Sequence, residues 1–265
     1  MRKYIHLFYL SFRTSKAYKF EIWLGILNAV LMLCIQVFLW KVLYAKNPEN
    51  IGLSQQEMVT YFILASGLSA SLFNTSVIDE MVTDVRDGKI THYLNKPYSY
   101  KLSLLSKFLG RSLFTVLFIV VPMFILGILF FGFESPNDPA ALLLSLGIVI
   151  ISFLIFFHIF YIAGLSVFWF MDLHGAVKLL LDNGIKILSG AYIPLWLFPG
   201  WLHNIANILP LRTGADLPIT IYLGKNGYED IALKLMFNVG WLILLWITSA
   251  IIWRIGLRKL VIQGG

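Results

Sequence analysis

ALLLSLGIVIISFLIFFHIFYIAGLSVFWF, Ala141 to Phe170, contains no Asp, Glu, Lys or Arg. A helix needs only about 20 mostly apolar residues to cross the roughly 30 Å hydrocarbon core of a bilayer. This run exceeds that length, so it reads as a membrane-spanning helix that is tilted or projects beyond the lipid. The rest of the chain agrees. Of its 265 residues 58% are hydrophobic, 15% aromatic and 13% charged, and the mean hydropathy is +0.79. That composition overrides the length-based expectation of one or two soluble domains and points to one polytopic all-α membrane domain over residues 1–265.

Five more runs of spanning length flank the first: Ile22 to Tyr44, Met58 to Ile78, Ser112 to Phe133, Ala176 to Phe198 and Leu235 to Ile255. Pro122 should bend the third of the six spans. The fifth is the least apolar, carrying Lys178, Asp182, Asn183 and Lys186. Six spans place both termini on one side, and the cations say which. Arg2, Lys3, Arg13, Lys16 and Lys19 precede the first span, Arg86, Lys89, Lys96, Lys101, Lys107 and Arg111 follow the second, and Lys178, Lys186, Arg254, Arg258 and Lys259 complete that side. These sixteen oppose five: Lys41, Lys46, Arg212, Lys225 and Lys234. Both termini are therefore expected in the cytoplasm. The formal net charge of +7 then reflects topology and contact with anionic membrane lipid, and nucleic acid is not needed to explain it.

Residues 1–20 interleave Tyr4, Ile5, Leu7, Phe8 and Phe12 with cations. Such a segment should form an amphipathic helix lying in the membrane interface, as an anchor or as an elbow beside a partner. It lacks a small-residue cleavage site and does not read as a signal peptide. The single cysteine, Cys34, lies in an apolar run and reads as a small buried hydrophobe. The five histidines are scattered without a ligand-pair spacing, so no metal site is expected.

Charge concentrates in residues 79–111, the largest expected cytoplasmic loop. Glu80, Asp84 and Asp87 fall at helical spacing, and Gly88 suits a C-terminal cap. Ile90 to Leu94 continues the segment, Asn95-Lys96-Pro97 turns, and Leu102 to Leu109 leads into the third span. Topology alone explains the later cations, but not the acidic cluster mixed with Val85, Ile90 and Leu94. That mixture suggests a docking surface for a cytoplasmic partner.

Polar residues inside spans are the other candidates. Asn28 and Gln36 on the first span and Ser66, Ser69 and Asn74 on the second either pack helices closely or line a route. Asp182 can pair with Lys178 or Lys186, or join Asn183 in a polar patch facing an inward vestibule. His158 is expected to bond a neighbouring helix. Residues 194–225 are too broken by Pro and Gly for one lipid-exposed helix, so short re-entrant or interfacial helices should lie between spans five and six. Trp196, Trp201 and Tyr222 are candidates for the aromatic belt.

IDEMVTDVRDGKITHYLNKPYSYKLSLLSKFLGR (Ile78 to Arg111) resembles the cytoplasmic loop of ABC transporter permeases of the type 2 exporter family. LSGAYIPLWLFPGWLHNIANILPLRTGADLPITIYLGK (Leu188 to Lys225) resembles that family's outer region, with Ile-Pro-Leu, Phe-Pro, Trp-Leu and Leu-Pro in order; WRIGLRKLVIQGG at the C-terminus is also similar. The resemblance is nearest to bacterial half-permeases found as two related chains with one ATPase. It implies a multi-pass protein of the bacterial inner (plasma) membrane that pairs with a second permease chain, as homodimer or heterodimer. It also implies cytoplasmic ABC ATPase subunits that carry the ATP and Mg, with no cofactor on this chain. Substrate, amphiphilic, drug-like, lipid-like or peptide, would move outward by alternating access at the dimer interface. By the same resemblance Glu80, Asp84, Arg86, Asp87 and Lys89 lie on the coupling helix that grips the ATPase, a rigid link that nucleotide-driven closure would need.

The chain has no phosphate-binding G-x-x-x-x-G-K-[ST] loop, because Thr83 stands where Gly88-Lys89 would require a leading glycine. Two rivals remain. One is an intramembrane serine hydrolase built on Ser69 in Gly67-Leu68-Ser69-Ala70 with His158 as base. The other is an ATP-independent channel.

Overall fold

The computed structural model describes residues 2–17, 19–46, 52–94, 98–136, 138–170 and 174–259, and every regular element among them is helical. The expected turn at Asn95-Lys96-Pro97 and the last residues, 260–265, lie outside the described residues. The helices are α1 Arg2–Ala17, α2 Lys19–Lys46, α3 Gln55–Leu72, α4 Ser76–Arg86, α5 Ile90–Leu94, α6 Tyr100–Thr115, α7 Val121–Phe131, α8 Pro139–Leu165, α9 His174–Leu188, α10 Gly200–Ile208, α11 Asp216–Tyr222 and α12 Tyr228–Leu257.

Among the described residues, five helical segments are long and apolar enough to cross a membrane: Phe20–Ala45, Gln55–Arg86, Tyr100–Phe131, Pro139–Phe168 and Tyr228–Leu257. The fifth run read from the sequence, 176–198, does not qualify on its own. α9 stops at Leu188 because Gly190 takes φ +84° and the Ala191 and Tyr192 N–H groups fold back onto the Lys186 carbonyl. A 15-residue helix rises only about 22 Å, short of the hydrocarbon core.

Local chemistry sets the helix ends. α3 starts in a capping box, in which Ser54 Oγ accepts from Glu57 N at 3.0 Å and Glu57 Oε2 accepts from Ser54 N at 2.8 Å. Asn74 interrupts α3 and α4 by accepting the Ser76 N–H at 3.0 Å on its side chain, offering the backbone an alternative to the helix ladder. α4 ends where expected, with Gly88 at φ +69°. Pro122, read from sequence as a bend, follows a π-helical turn at Val116–Val120 that joins α6 to α7. Proline offers no N–H to continue the ladder, so the register changes beside it.

The elements form one bundle with two ends. At one end α1 lies along α6: Ser11 Oγ donates to the Lys107 carbonyl at 3.0 Å, Tyr4 Oη accepts from Ser99 N at 2.9 Å, and Phe12 meets Phe114 edge-on at 5.7 Å. At the other end, Lys225 pairs with Glu57 at 2.7 Å, Tyr222 Oη donates to the Glu134 carbonyl at 3.1 Å, and the Tyr228 hydroxyl bonds the Asp138 carboxylate. The broken segment after α9 folds back into the bundle at this end. Gly214 packs between Phe73 and Phe156, where an added Cβ would come within 2.8 Å of both rings. Every residue of α11 is buried. Its backbone is therefore shielded by protein, as non-spanning structure at membrane depth must be. Tyr222 is buried here rather than in an outer belt, Trp196 packs edge-on against Tyr61, and Trp201 stays exposed. Cys34 is half-buried rather than fully enclosed.

Candidate functional site

Polar residues in a membrane-facing helix cost free energy unless they meet water, each other or a partner. The fold gathers them. A cavity of about 500 Å³ lies between α2, the α3–α4 break, the end of α6 and α9; Asn28, Gln36, Ser66, Ser69, Asn74, Asp182 and Lys186 are among its lining residues. Six of the eight span residues singled out from sequence thus share one space, although they come from three separate stretches of chain. Asn28 is exposed along the open side. Gln36 Oε1 and Ser69 Oγ are buried and have no hydrogen-bond partner among the described residues. Buried polar atoms in that condition are costly, and they mark a place where a ligand or water has something to bind.

A second polar cavity of about 540 Å³ adjoins the first toward the α1 end and adds Thr14, Ser15, Glu21 and Arg111. Asn74, Thr115 and Ile119 line both. Together they make a polar strip running from the α1 end into the depth of the bundle, walled by α2 on one side and open along its length.

His158 and Asn183 do not join that strip. His158 Nδ1 bonds the Leu154 carbonyl of its own helix at 2.7 Å rather than a neighbouring helix, and Asn183 is exposed and donates back to Leu179 at 2.9 Å. Ser69 Oγ has no hydrogen-bond partner among the described residues, so no nucleophile–base pair with His158 is formed and the geometry offers no support for a hydrolase. Lys178 does not neutralise Asp182. It crosses to Asp79 on α4 at 2.6 Å, which leaves Asp182 and Lys186 facing the cavity.

The acidic cluster at the end of α4 divides in two. Glu80 is held between Lys107, with which it makes a close ion pair, and Arg111 Nη2 at 3.0 Å, both on α6. Asp84 is buried and accepts from Tyr100 Oη at 3.0 Å. Tyr100 in turn stacks on Trp253 of α12 at 5.4 Å. These two carboxylates therefore tie α4 to α6 and, through Tyr100, to α12. Arg86, Asp87, Gly88 and Lys89 remain exposed at the tip, with Asp87 and Lys89 paired at 2.6 Å. The Asp87 carboxylate raises the Lys89 pKa above its usual value by hydrogen bond and charge. Helical spacing signalled the cluster, but only the position of α6 decided which carboxylates turn inward.

The residues that fix the broken segment after α9 were not singled out in the sequence. Arg212 pairs with buried Asp216 at 2.7 Å and with Asn207 at 2.7 Å. The Asp216 N–H donates to Ser189 O at 2.9 Å. Arg212 and Asp216 at i, i+4 were the available signal, but they lay among helix breakers.

Residues 30–264 match the family model described as ABC-2 family transporter protein. No curated protein matches the chain.

Proposed function

The chain belongs to the ABC-2 transporter family, a family of membrane transport components, and from that premise we propose that it is the permease subunit of an ATP-driven exporter. The carrying observation is the polar strip between α2 and α9 at membrane depth. Asn28, Asp182 and Lys186 are too polar to face hydrocarbon, so a second permease chain, identical or related, closes the strip and makes it the substrate route. α9 together with the chain up to Pro194 serves as the sixth crossing, its short length completed by the outer segment folded against it. With both termini cytoplasmic, in agreement with the excess of cations at the α1 end, the strip opens inward and the Ala191–Tyr192 turn that leads into the outer segment stands at its outer end. A bacterial inner membrane is the setting that the resemblance to half-permeases favours.

ATP is hydrolysed on separate cytoplasmic subunits that hold the nucleotide and Mg. The exposed tip Arg86–Asp87–Gly88–Lys89 docks into them, while Glu80 and Asp84 pass the motion to α6 and Tyr100 passes it to α12. A rigid lever is required for such transfer, and the paired carboxylates supply one. Alternating access at the dimer seam then moves an amphiphilic cargo, drug-like, lipid-like or peptide, whose polar part meets Gln36 and Ser69.

Purifying the tagged chain in mild detergent from its native membranes, followed by mass spectrometry of what accompanies it, tests this reading. An ABC ATPase is expected, and its loss from an Asp87→Arg, Lys89→Glu double variant locates the docking tip. A stable, folded chain that is reproducibly free of ATPase would overturn it.

A further inference from the structure

α3 separates two cavities of opposite character. Ser66, Ser69 and Ala70 face the polar strip, whereas Leu64, Gly67, Leu68 and Ser71 face an apolar cleft of about 500 Å³ bounded by α7, α8 and α11. Val120, Phe124, Leu146 and Val149 continue its walls. Three hydroxyls line the cleft and each spends its proton inside the protein: Ser71 on Leu68 O at 3.1 Å, Ser145 on Pro218 O at 2.8 Å, and Tyr222 on Glu134 O at 3.1 Å. No hydroxyl donor is left for a polar ligand, and this is the reverse of the polar strip with its unpartnered Gln36 and Ser69.

Aromatic pairs stand toward both ends of the cleft. Phe133 meets Phe124 at 5.0 Å and Tyr222 at 5.9 Å toward α11, and Phe153 meets Phe108 at 6.4 Å toward α1. Between them the cleft follows α8 from Leu142 to Phe153, a rise of about 16 Å. That is close to half the roughly 30 Å hydrocarbon core, the depth of one leaflet. Leu142 and Leu146 on its rim are exposed to the outside of the bundle, where a multi-pass protein meets lipid.

We propose that this cleft binds one acyl chain of a phospholipid from the leaflet at the α11 end. Length, apolar walls and the sideways opening match a single hydrocarbon chain, and α3 keeps that lipid out of the polar strip. The π turn stands between the two spaces, with Val116 and Val120 on the cleft and Ile119 on the strip beside Thr115 of α6. A chain seated in the cleft therefore supports the wall of the polar cavity from behind. The inference needs only that the bundle spans a bilayer, so it stands or falls apart from the exporter reading.

Photocrosslinking tests it on the full chain in phosphatidylethanolamine–phosphatidylglycerol nanodiscs. A benzophenone amino acid at Val149 lies in the cleft, and one at Ile150, 65% exposed, faces bulk lipid. Both should label phospholipid in nanodiscs. After exchange into detergent, labelling at 149 should persist and labelling at 150 should disappear. Leu146→Trp, which fills the cleft, should abolish the retained adduct at 149, whereas Leu143→Trp, on the exposed face of the same helix, should not. Absence of lipid adduct at 149, its loss in step with 150, or its persistence in Leu146→Trp would each overturn the assignment.

Discussion

Tyr61 donates its hydroxyl proton to the carbonyl of Gly190 at 2.8 Å, across 129 residues of chain. This bond pins the turn that ends α9 to the middle of α3, and so sets the distance between two walls of the polar strip. Tyr61 is fully buried, and its ring also packs on Trp196 at 5.5 Å. Tyr61→Phe keeps the packing but leaves a buried carbonyl unpaired, a cost of about 1–3 kcal/mol. Thermal unfolding in detergent should shift down by several degrees. An unchanged midpoint would show that the turn is held by other contacts.

Glu80 and Asp87 should behave oppositely although they lie seven residues apart. Glu80→Gln strips the negative charge from between Lys107 and Arg111, leaving two half-buried cations without a counter-charge, and should cost about 1–3 kcal/mol after allowing for their partial exposure. Asp87→Asn breaks only an exposed pair and should leave the unfolding midpoint where it is, while weakening retention of the proposed ATPase subunit. The test is to measure both quantities on both variants. Equal thermal effects would contradict the division of the cluster.

Gly110 lets α1 approach α6 at backbone distance. A Cβ built there would lie 2.5 Å from the Phe8 carbonyl oxygen and 3.2 Å from Ser11 Cβ. Gly110→Ala must therefore lift α1 off α6, breaking the Ser11–Lys107 bond, even though alanine favours a helix by about 1 kcal/mol over glycine. Limited proteolysis should release the N-terminal segment faster in the variant. Unaltered cleavage would mean that α1 is held chiefly at Tyr4 and Phe12.

Asp138 caps α8 by accepting from Ala140 N at 2.9 Å and also receives the Tyr228 hydroxyl. The tyrosine bond, then the backbone bond, hold its pKa below the ordinary 3.8. A depressed folded pKa means the stabilisation is fully present above the ordinary value and is lost as pH falls through the folded one. Asp138→Asn should thus unfold earlier than the parent at pH 7, and the gap should close on acidification below pH 4. A gap that persists in acid would assign the effect to shape rather than charge.

Five of the six runs read from hydropathy overlap helical segments that meet the length and polarity needed to cross a membrane; the second contains a break at Asn74, and the third and fourth overrun their segments by two residues each. Averaging over a window is a local property, so composition was enough. The same averaging failed at 176–198, where enough apolar residues were present but Gly190 and the prolines after it ended the helix early. The helix that carries the third run begins at Tyr100 and so includes the lead read at Leu102 to Leu109, which the window leaves out because Lys101, Lys107 and Arg111 lower the mean. Their charges are accommodated by Ser249, Tyr93 and Glu80 from other elements, partners that no window contains.

The sequence by itself determined that this chain crosses a membrane several times, where its cations concentrate, and which polar residues in its spans were out of place. Hydrophobic transfer and helix capping act over a few residues, so their outcome is written in consecutive letters. Only the tertiary structure decided that Asn28, Gln36, Ser66, Ser69, Asn74 and Asp182 share one cavity, that Lys178 reaches Asp79, and that Glu80 and Asp84 turn inward while Asp87 does not. Each of those outcomes depends on the rotation of one helix against another, and the packing of side chains far apart in sequence sets that rotation.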